Sequence, residues 1–404
     1  MSETSIVFTG DIGFDGHMSG RWQDPGLVAP AIRDFLGSAD HVIANIEGPV
    51  IDLDPSCLKG KLVHSMPTKV CGFLKDLNID IWSICNNHIM DAGPEGLFST
   101  MDAAYELGVS TVGAGKDYDE ASKPLFIEEA GGIGIITVGY RRACREAGED
   151  TPGCFSWSNL ELIEKRIKEI KSSCRWCVVI AHAGEEFTSL PSPYTRERLL
   201  KFLEFGADLV VTHHPHVPMN YETVGDKAIF YSLGNFIFDT DYQRAQFNTE
   251  SGILLKVRFS EDSFSFEPFG ITVDREAGIV CESGLPDIFT DVREEDYKLL
   301  LPLSVKAFIE NTKRQWKFLY PDDYNDDTDW VADFYKPLRS GRVPGETLDF
   351  QILYPISLEA NNNDHLKSSK TKVIEYIKKQ LEKTSRTQLI RDFFVFSFYC
   401  RLFV

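Results

Sequence analysis
Five short segments put metal-competent side chains directly after an apolar run. They are Phe8-Thr9-Gly10-Asp11, Ala44-Asn45-Ile46-Glu47, Cys85-Asn86-Asn87-His88 with Asp91 beyond it, Ala181-His182-Ala183-Gly184-Glu185-Glu186, and Thr212-His213-His214-Pro215-His216. Imidazole, amide and carboxylate donors together suit Mn, Fe, Zn or Co better than Ca. The last segment is the sharpest signal, with three of the nine histidines in four positions. If its backbone is extended and stiffened by Pro215, His214 and His216 project to one side. Two amides and an imidazole in succession at Asn86, Asn87 and His88 are costly to bury without partners, and His88 suits a general acid or a phosphate clamp. Asp11 and Glu47 are hard oxygen donors, and Gly10 permits a sharp turn before Asp11. His182 leaves so apolar a strand that it needs a partner, as a core histidine or as a ligand. Asn235 and Asp239, in Tyr231-Ser232-Leu233-Gly234-Asn235-Phe236-Ile237-Phe238-Asp239, either line the pocket, bond the ligand histidines or serve turns. Arg141 and Arg142, with Arg145, would grip a substrate carboxylate or phosphate if they face the pocket, or lie in a solvated loop balanced by Glu146 and Glu149.

These positions converge only if strands and helices alternate, because ligands in α/β sheets collect beyond the carboxyl ends of the strands. The pattern of short apolar runs predicts strands at 6–9, 41–44, 79–84, 109–112, 134–138, 177–181 and 209–212. Helices are predicted between them at 28–36, 70–77, 95–107, 160–171 and 196–205, which makes the fold α/β. Residues 228–238, 252–259 and 263–273 read as consecutive strands, 275–295 as loop, and 297–319 and most of 365–404 as helix. The expected organisation is a domain over 1–275 and a mostly helical extension over 276–404, through which a homo-oligomer could form.

A formal net charge of -19 removes the basic footprint of a nucleic-acid binder. A metal can still reverse the local potential for an anionic substrate. Nine scattered cysteines suit reduced thiols better than a disulfide framework. Cys174 and Cys177 form a lone C-x-x-C, read as a helix end and strand start rather than a zinc site. The N-terminus reads as a strand rather than a signal peptide, and no apolar run is long enough to cross a bilayer, so a cytoplasmic location is expected.

In order, Gly10-Asp11, Asn45 to Glu47, Asn86 to Gly93, Gly113 to Gly115 followed by Glu120-Ala121 and Pro124, His182 to Glu186, His213 to His216 and Ser232 to Asp239 resemble the motifs of the CapA/PgsA family of poly-γ-glutamate capsule biosynthesis proteins. That family is similar to the calcineurin-like metallophosphoesterase superfamily. The resemblance covers about residues 5–260. It implies a four-layer sandwich of two mixed β-sheets flanked by helices. By the same resemblance Asp11, Glu47, Asn87, His182, His214 and His216 hold one or two divalent metal ions, and His88, with Asp11, is catalytic. Asn45, Arg141, Arg142, Glu186 and Asn235 are expected at the substrate. One departure stands out: the superfamily typically opens Asp-x-His, whereas this chain reads Asp11-Ile12-Gly13, with His17 a nearby substitute.

The implied function is a metal-dependent hydrolase that uses a metal-bound hydroxide on a phosphoester or a glutamyl-type amide, with an anionic small molecule or polyglutamate-type polymer as substrate. The alternative is a non-hydrolytic accessory protein of capsule or poly-γ-glutamate synthesis that binds polymer or synthase.

Overall fold
The computed structural model describes residues 3–54, 62–140, 144–300, 314, 315, 317–319 and 321. The chain divides into two compact units, Met1–Arg293 and Glu294–Val404. In the second, residues 294–300 are helical. The helical tail expected over 365–404 lies outside the described residues.

The first unit contains two mixed sheets. One is eight-stranded, in the order Ile279–Glu282, Phe264–Asp274, Ser251–Phe259, Thr4–Ile12, His41–Ile46, Ile81–Ser83, Ser110–Val112, with Asn235–Ile237 also pairing with Thr4–Ile12. The other is six-stranded: Tyr221–Val224, Lys227–Phe230, Leu209–His213, Trp176–His182, Ile133–Gly139, Leu125–Ile127. The inner strands of the second sheet run parallel. In the first, Thr4–Ile12 runs parallel to His41–Ile46 and antiparallel to Ser251–Phe259.

The layering follows from alternation along each strand, since successive side chains point to opposite faces. Ile6, Phe8 and Ile43 of the first sheet share one core with Ile135, Val178, Ile180 and Val211 of the second. The intervening Val7, Val42 and Ala44 pack on helices through Ile32, Phe35, Leu74 and Leu97. On the far side Ile136, Val179 and Val210 meet Ile163, Ile167, Leu199 and Phe202. Both faces of each sheet are therefore covered, which is why the inner strands read as continuous apolar runs. The result is the expected four layers, helix–sheet–sheet–helix.

The predicted helices and inner strands are present, with bounds shifted by a few residues. Cys174 caps the helix Leu160–Ser173, and Cys177 lies in the next strand, as the lone C-x-x-C suggested. Among the described residues the cysteines are free thiols. The run 228–238, read as one strand, is two. Lys227–Phe230 belongs to the second sheet and Asn235–Ile237 to the first. The chain crosses over at Gly234, whose φ is +71° and where a Cβ would stand 2.7 Å from the Ser251 carbonyl oxygen, so no other residue fits. Ile279–Glu282, read as loop, is a strand on the edge of the first sheet, and the compact unit continues to Arg293, past the boundary expected at 275. Its apolar run is only three residues long, Ile279-Val280-Cys281, and its residues are mostly part-exposed. Among the described residues, no helix is long and apolar enough to cross a membrane.

Candidate metal centre
The strands of both sheets deliver their polar ends to one place. Asp11 pairs in register with Asn45 on one side and Asn235 on the other. That approach is so close that a Cβ at Gly10 would lie 2.2 Å from the Gly234 carbonyl oxygen. Asp11 is fully buried, and its Oδ1 accepts from Asn45 Nδ2 at 2.7 Å. Glu47 is also fully buried, and neither of its carboxylate oxygens has a hydrogen-bond partner.

From the second sheet, His182 and His213 end adjacent strands in register. The chain then leaves the sheet. The extended backbone expected over His214–His216 is absent: His214 has φ 95° and His216 φ 58°, values rare for residues with a Cβ. This kinked path turns both imidazoles towards the carboxylates. His216 Nε2 is 3.5 Å from Glu47 Oε1, and its Nδ1 is 3.3 Å from Asp11 Oδ2. His182 Nε2 is 3.7 Å from the same Glu47 oxygen and 2.7 Å from Asn87 Oδ1. His213 points elsewhere. Its Nε2 bonds the Thr9 carbonyl oxygen at 2.8 Å and ties the two sheets together.

Three overlapping donor groups result: Glu47, His182 and His214; Asp11, Glu47 and His216; and Glu186, His214 and His216, each with ligand atoms within 4.8 Å of one another. The electrostatics match a cation-binding site. Burial, then the charge of Asp11, pushes the Glu47 carboxyl well above its usual range. Burial holds His182 well below the ordinary imidazole value and lowers His214 to about 4. His216 is the exception: burial opposes its charge, but Glu47 and Asp11 outweigh it and raise the imidazole to about 10. Without a cation, the site thus keeps one imidazolium as counter-charge and leaves neutral imidazoles beside carboxylates. Neutral imidazole is the form that ligates metal. Asp11 Oδ2, both Glu47 oxygens, His182 Nδ1 and His214 Nδ1 are buried without hydrogen-bond partners. Buried polar atoms are rarely left so, and a divalent cation accounts for the carboxylate oxygens. The residues present fit such an ion.

Beside this cluster lie two imidazole–carboxylate pairs. His88 Nδ1 bonds Asp91 Oδ2 at 2.7 Å, and burial lowers the His88 imidazole well below its ordinary value. His64 Nδ1 bonds Asp15 Oδ2, and the His64 ring stands edge-on to that of His88 with centroids 4.1 Å apart. Sequence reasoning missed both His64 and Asp15. Neither ends an apolar strand in the way the five segments do.

Of the remaining predicted residues, Asn45 and Asn235 are buried against side chains of the donor groups. Asn45 bonds Asp11, and Asn235 Oδ1 bonds His216 Nδ1 at 3.0 Å. Glu186 lies within ligand reach of His214 and His216 and accepts from the Tyr242 hydroxyl at 3.0 Å. Asp239 is occupied by Arg244 and Arg275. Arg141 and Arg142 lie outside the described residues. His17 bonds the exposed Asp241 at 2.9 Å and joins none of the donor groups, so it does not replace the histidine missing after Asp11. At Gly13 a Cβ would stand 2.5 Å from the Phe238 ring, which fills the space a side chain would need.

The model of the family described as "Bacterial capsule synthesis protein PGA_cap" matches residues 5–240, a span that contains every donor of the cluster. The chain belongs to this family. The PGA_cap family is metallophosphoesterase-like, in keeping with the four-layer sandwich and with His/Glu clusters that allow a divalent metal. Among its relatives, "PGA biosynthesis protein CapA" of Bacillus subtilis (strain 168) is 29% identical over 60% of this chain and 65% of its own length. "Capsule biosynthesis protein CapA" of Bacillus anthracis is 30% identical over 53% of this chain and 54% of its own. "Probable polyglutamine synthesis accessory protein Rv0574c" of Mycobacterium tuberculosis (strain ATCC 25618 / H37Rv) is 24% identical over 54% and 60%. The matches thus span less than two thirds of these relatives' length.

Proposed function
We propose that the chain is a metal-dependent hydrolase, acting on a phosphoester or a glutamyl-type amide in capsule or poly-γ-glutamate metabolism. The observation that carries this reading is the convergence of three donor groups sharing Glu47, His214 and His216, with buried carboxylate oxygens that have no hydrogen-bond partner. Asp11, Glu47, Asn87, His182, His214 and His216 would hold the metal, with Glu186 in reach. When bound, the cation supplies Lewis acidity and activates water near neutral pH. The protein's part is positional. Asn45 orients Asp11, and Asn235 orients His216. Asp91 holds His88 through Nδ1, which leaves Nε2 to exchange a proton with the leaving-group oxygen.

The test is elemental analysis of purified protein together with turnover of a generic phosphodiester and of poly-γ-glutamate. His214→Ala should lose metal and cut turnover by more than the roughly 10–100-fold that loss of an outer hydrogen bond to a ligand costs. Protein that binds no metal and turns over neither substrate would favour the second reading, a non-hydrolytic accessory role. One relative's name, a polyglutamine synthesis accessory protein, supports that alternative.

A further inference from the structure
His64 and His88 are built alike and held together. Each is tied through Nδ1 to a carboxylate, Asp15 for His64 and Asp91 for His88. Asp91 Oδ2 also accepts from the His64 backbone N–H at 2.8 Å, so a single carboxylate oxygen sets the positions of both residues. The His64 and His88 side chains are 10% and 11% exposed, buried enough to be fixed but not sealed off. Among the described residues no protein group bonds Nε2 of either ring. The pair is also fastened to the metal cluster from two directions. His64 packs on Phe238 at 5.1 Å between centroids, and Phe238 packs on His216 at 5.2 Å. Gly48, next to Glu47, lies so close that a Cβ there would come within 3.1 Å of the His64 Cβ.

We infer that His64, oriented by Asp15, is a second imidazole that contacts the substrate, donating from Nε2 to an oxyanion alongside His88. An imidazolium donates from both nitrogens. With Nδ1–H given to the carboxylate, Nε2–H points at an anionic oxygen, phosphoryl or carboxylate. Charge-assisted bonds of this kind are the strong ones. The inference rests on the hydrolase reading for its catalytic meaning, but its binding content can be measured separately.

The experiment uses the full chain loaded with Mn(II), with metal content and thermal midpoint recorded for every variant. Inorganic phosphate and glutarate are titrated by calorimetry, one standing for a phosphoryl group and the other for a carboxylate. His64→Asn keeps a polar group near Asp15 but removes the Nε2 donor, whereas His64→Gln reaches to where Nε2 lies and gives up the bond to Asp15. His64→Asn should weaken one of the two anions by about ten-fold or more, the worth of a hydrogen bond to a charged group. His64→Gln should recover part of that loss, and the anion affected identifies the group recognised. A structural role would give the reverse order, with Asn tolerated and Gln impaired. That order, unchanged affinity in His64→Asn, or wild-type protein that binds neither anion would each overturn the inference. Wild-type protein that binds an anion through His64 but turns over no substrate would instead refute the hydrolase reading and leave the inference standing.

Discussion

Glu47→Gln should change stability in opposite directions with and without metal. The wild-type carboxylate is fully buried, its oxygens have no hydrogen-bond partner, and Asp11 is its charged neighbour. An unsatisfied buried polar group costs about 1–3 kcal/mol, and more when charged. The near-isosteric amide removes the charge but keeps two polar atoms, so in chelator, at a pH that ionises the wild-type side chain, the variant should gain about 1 kcal/mol or more, the excess cost of the charge. For a domain of this size each kcal/mol moves Tm by roughly 2–4 °C. The folded-state pKa of Glu47 is raised, so its favourable contribution is complete below the unfolded value of 4.5 and is lost as pH rises through the folded value. The variant's advantage in chelator should therefore grow with pH. With metal at a hundred times its Kd, the wild type gains about 2.7 kcal/mol. The variant forfeits most of this, because Glu47 belongs to two of the three donor groups. The order of the two proteins then reverses. Differential scanning calorimetry with chelator and with excess Mn(II) or Zn(II), at two pH values, measures all four states. A variant less stable than wild type in chelator at high pH, or one that keeps the full metal-induced shift, would refute the reasoning.

Two further outcomes follow from individual histidines. Burial lowers His214 from 6.5 to about 4, so its contribution to metal-free stability is complete above about 6.5 and lost as pH falls towards about 4. His214→Gln should flatten the chemical-denaturation profile of chelator-treated protein across that window, by up to about 3 kcal/mol; an unchanged slope would refute this. His213→Ala should behave differently from any ligand variant. It leaves the Thr9 carbonyl, at an interruption in the ladder to the neighbouring strand, without its imidazole partner. Urea unfolding should show a loss of at least about 1–3 kcal/mol, while metal content stays at the wild-type level. Metal loss on the scale of His214→Ala would contradict the assignment of His213 as a tie between the sheets.

What could be read from the residues alone was local or chemical. Apolar periodicity announced the inner strands and the helices, because each strand is buried on both faces and each helix on one. Donor types at the ends of those strands announced a candidate metal site, because such chemistry needs imidazole and carboxylate whatever the fold. The tertiary structure decided everything that depends on which strand edges meet. Sheet order brought Asn45 and Asn235 to either side of Asp11, which set two residues expected at a substrate against side chains of the donor groups. The crossover at Gly234 split one apolar run between two sheets, a step that periodicity cannot encode because the run's burial is continuous. The left-handed backbone at His214 and His216 is sustained only by packing around it, so an extended segment was the natural expectation. Asp15 and His64 are 49 positions apart, and His64 follows no apolar strand, so nothing short of the folded chain could pair them or set them beside His88. Short-range pattern reports whether a residue is buried, whereas its partner is chosen by contacts between segments far apart in the chain, and those exist only once the two sheets have closed on each other.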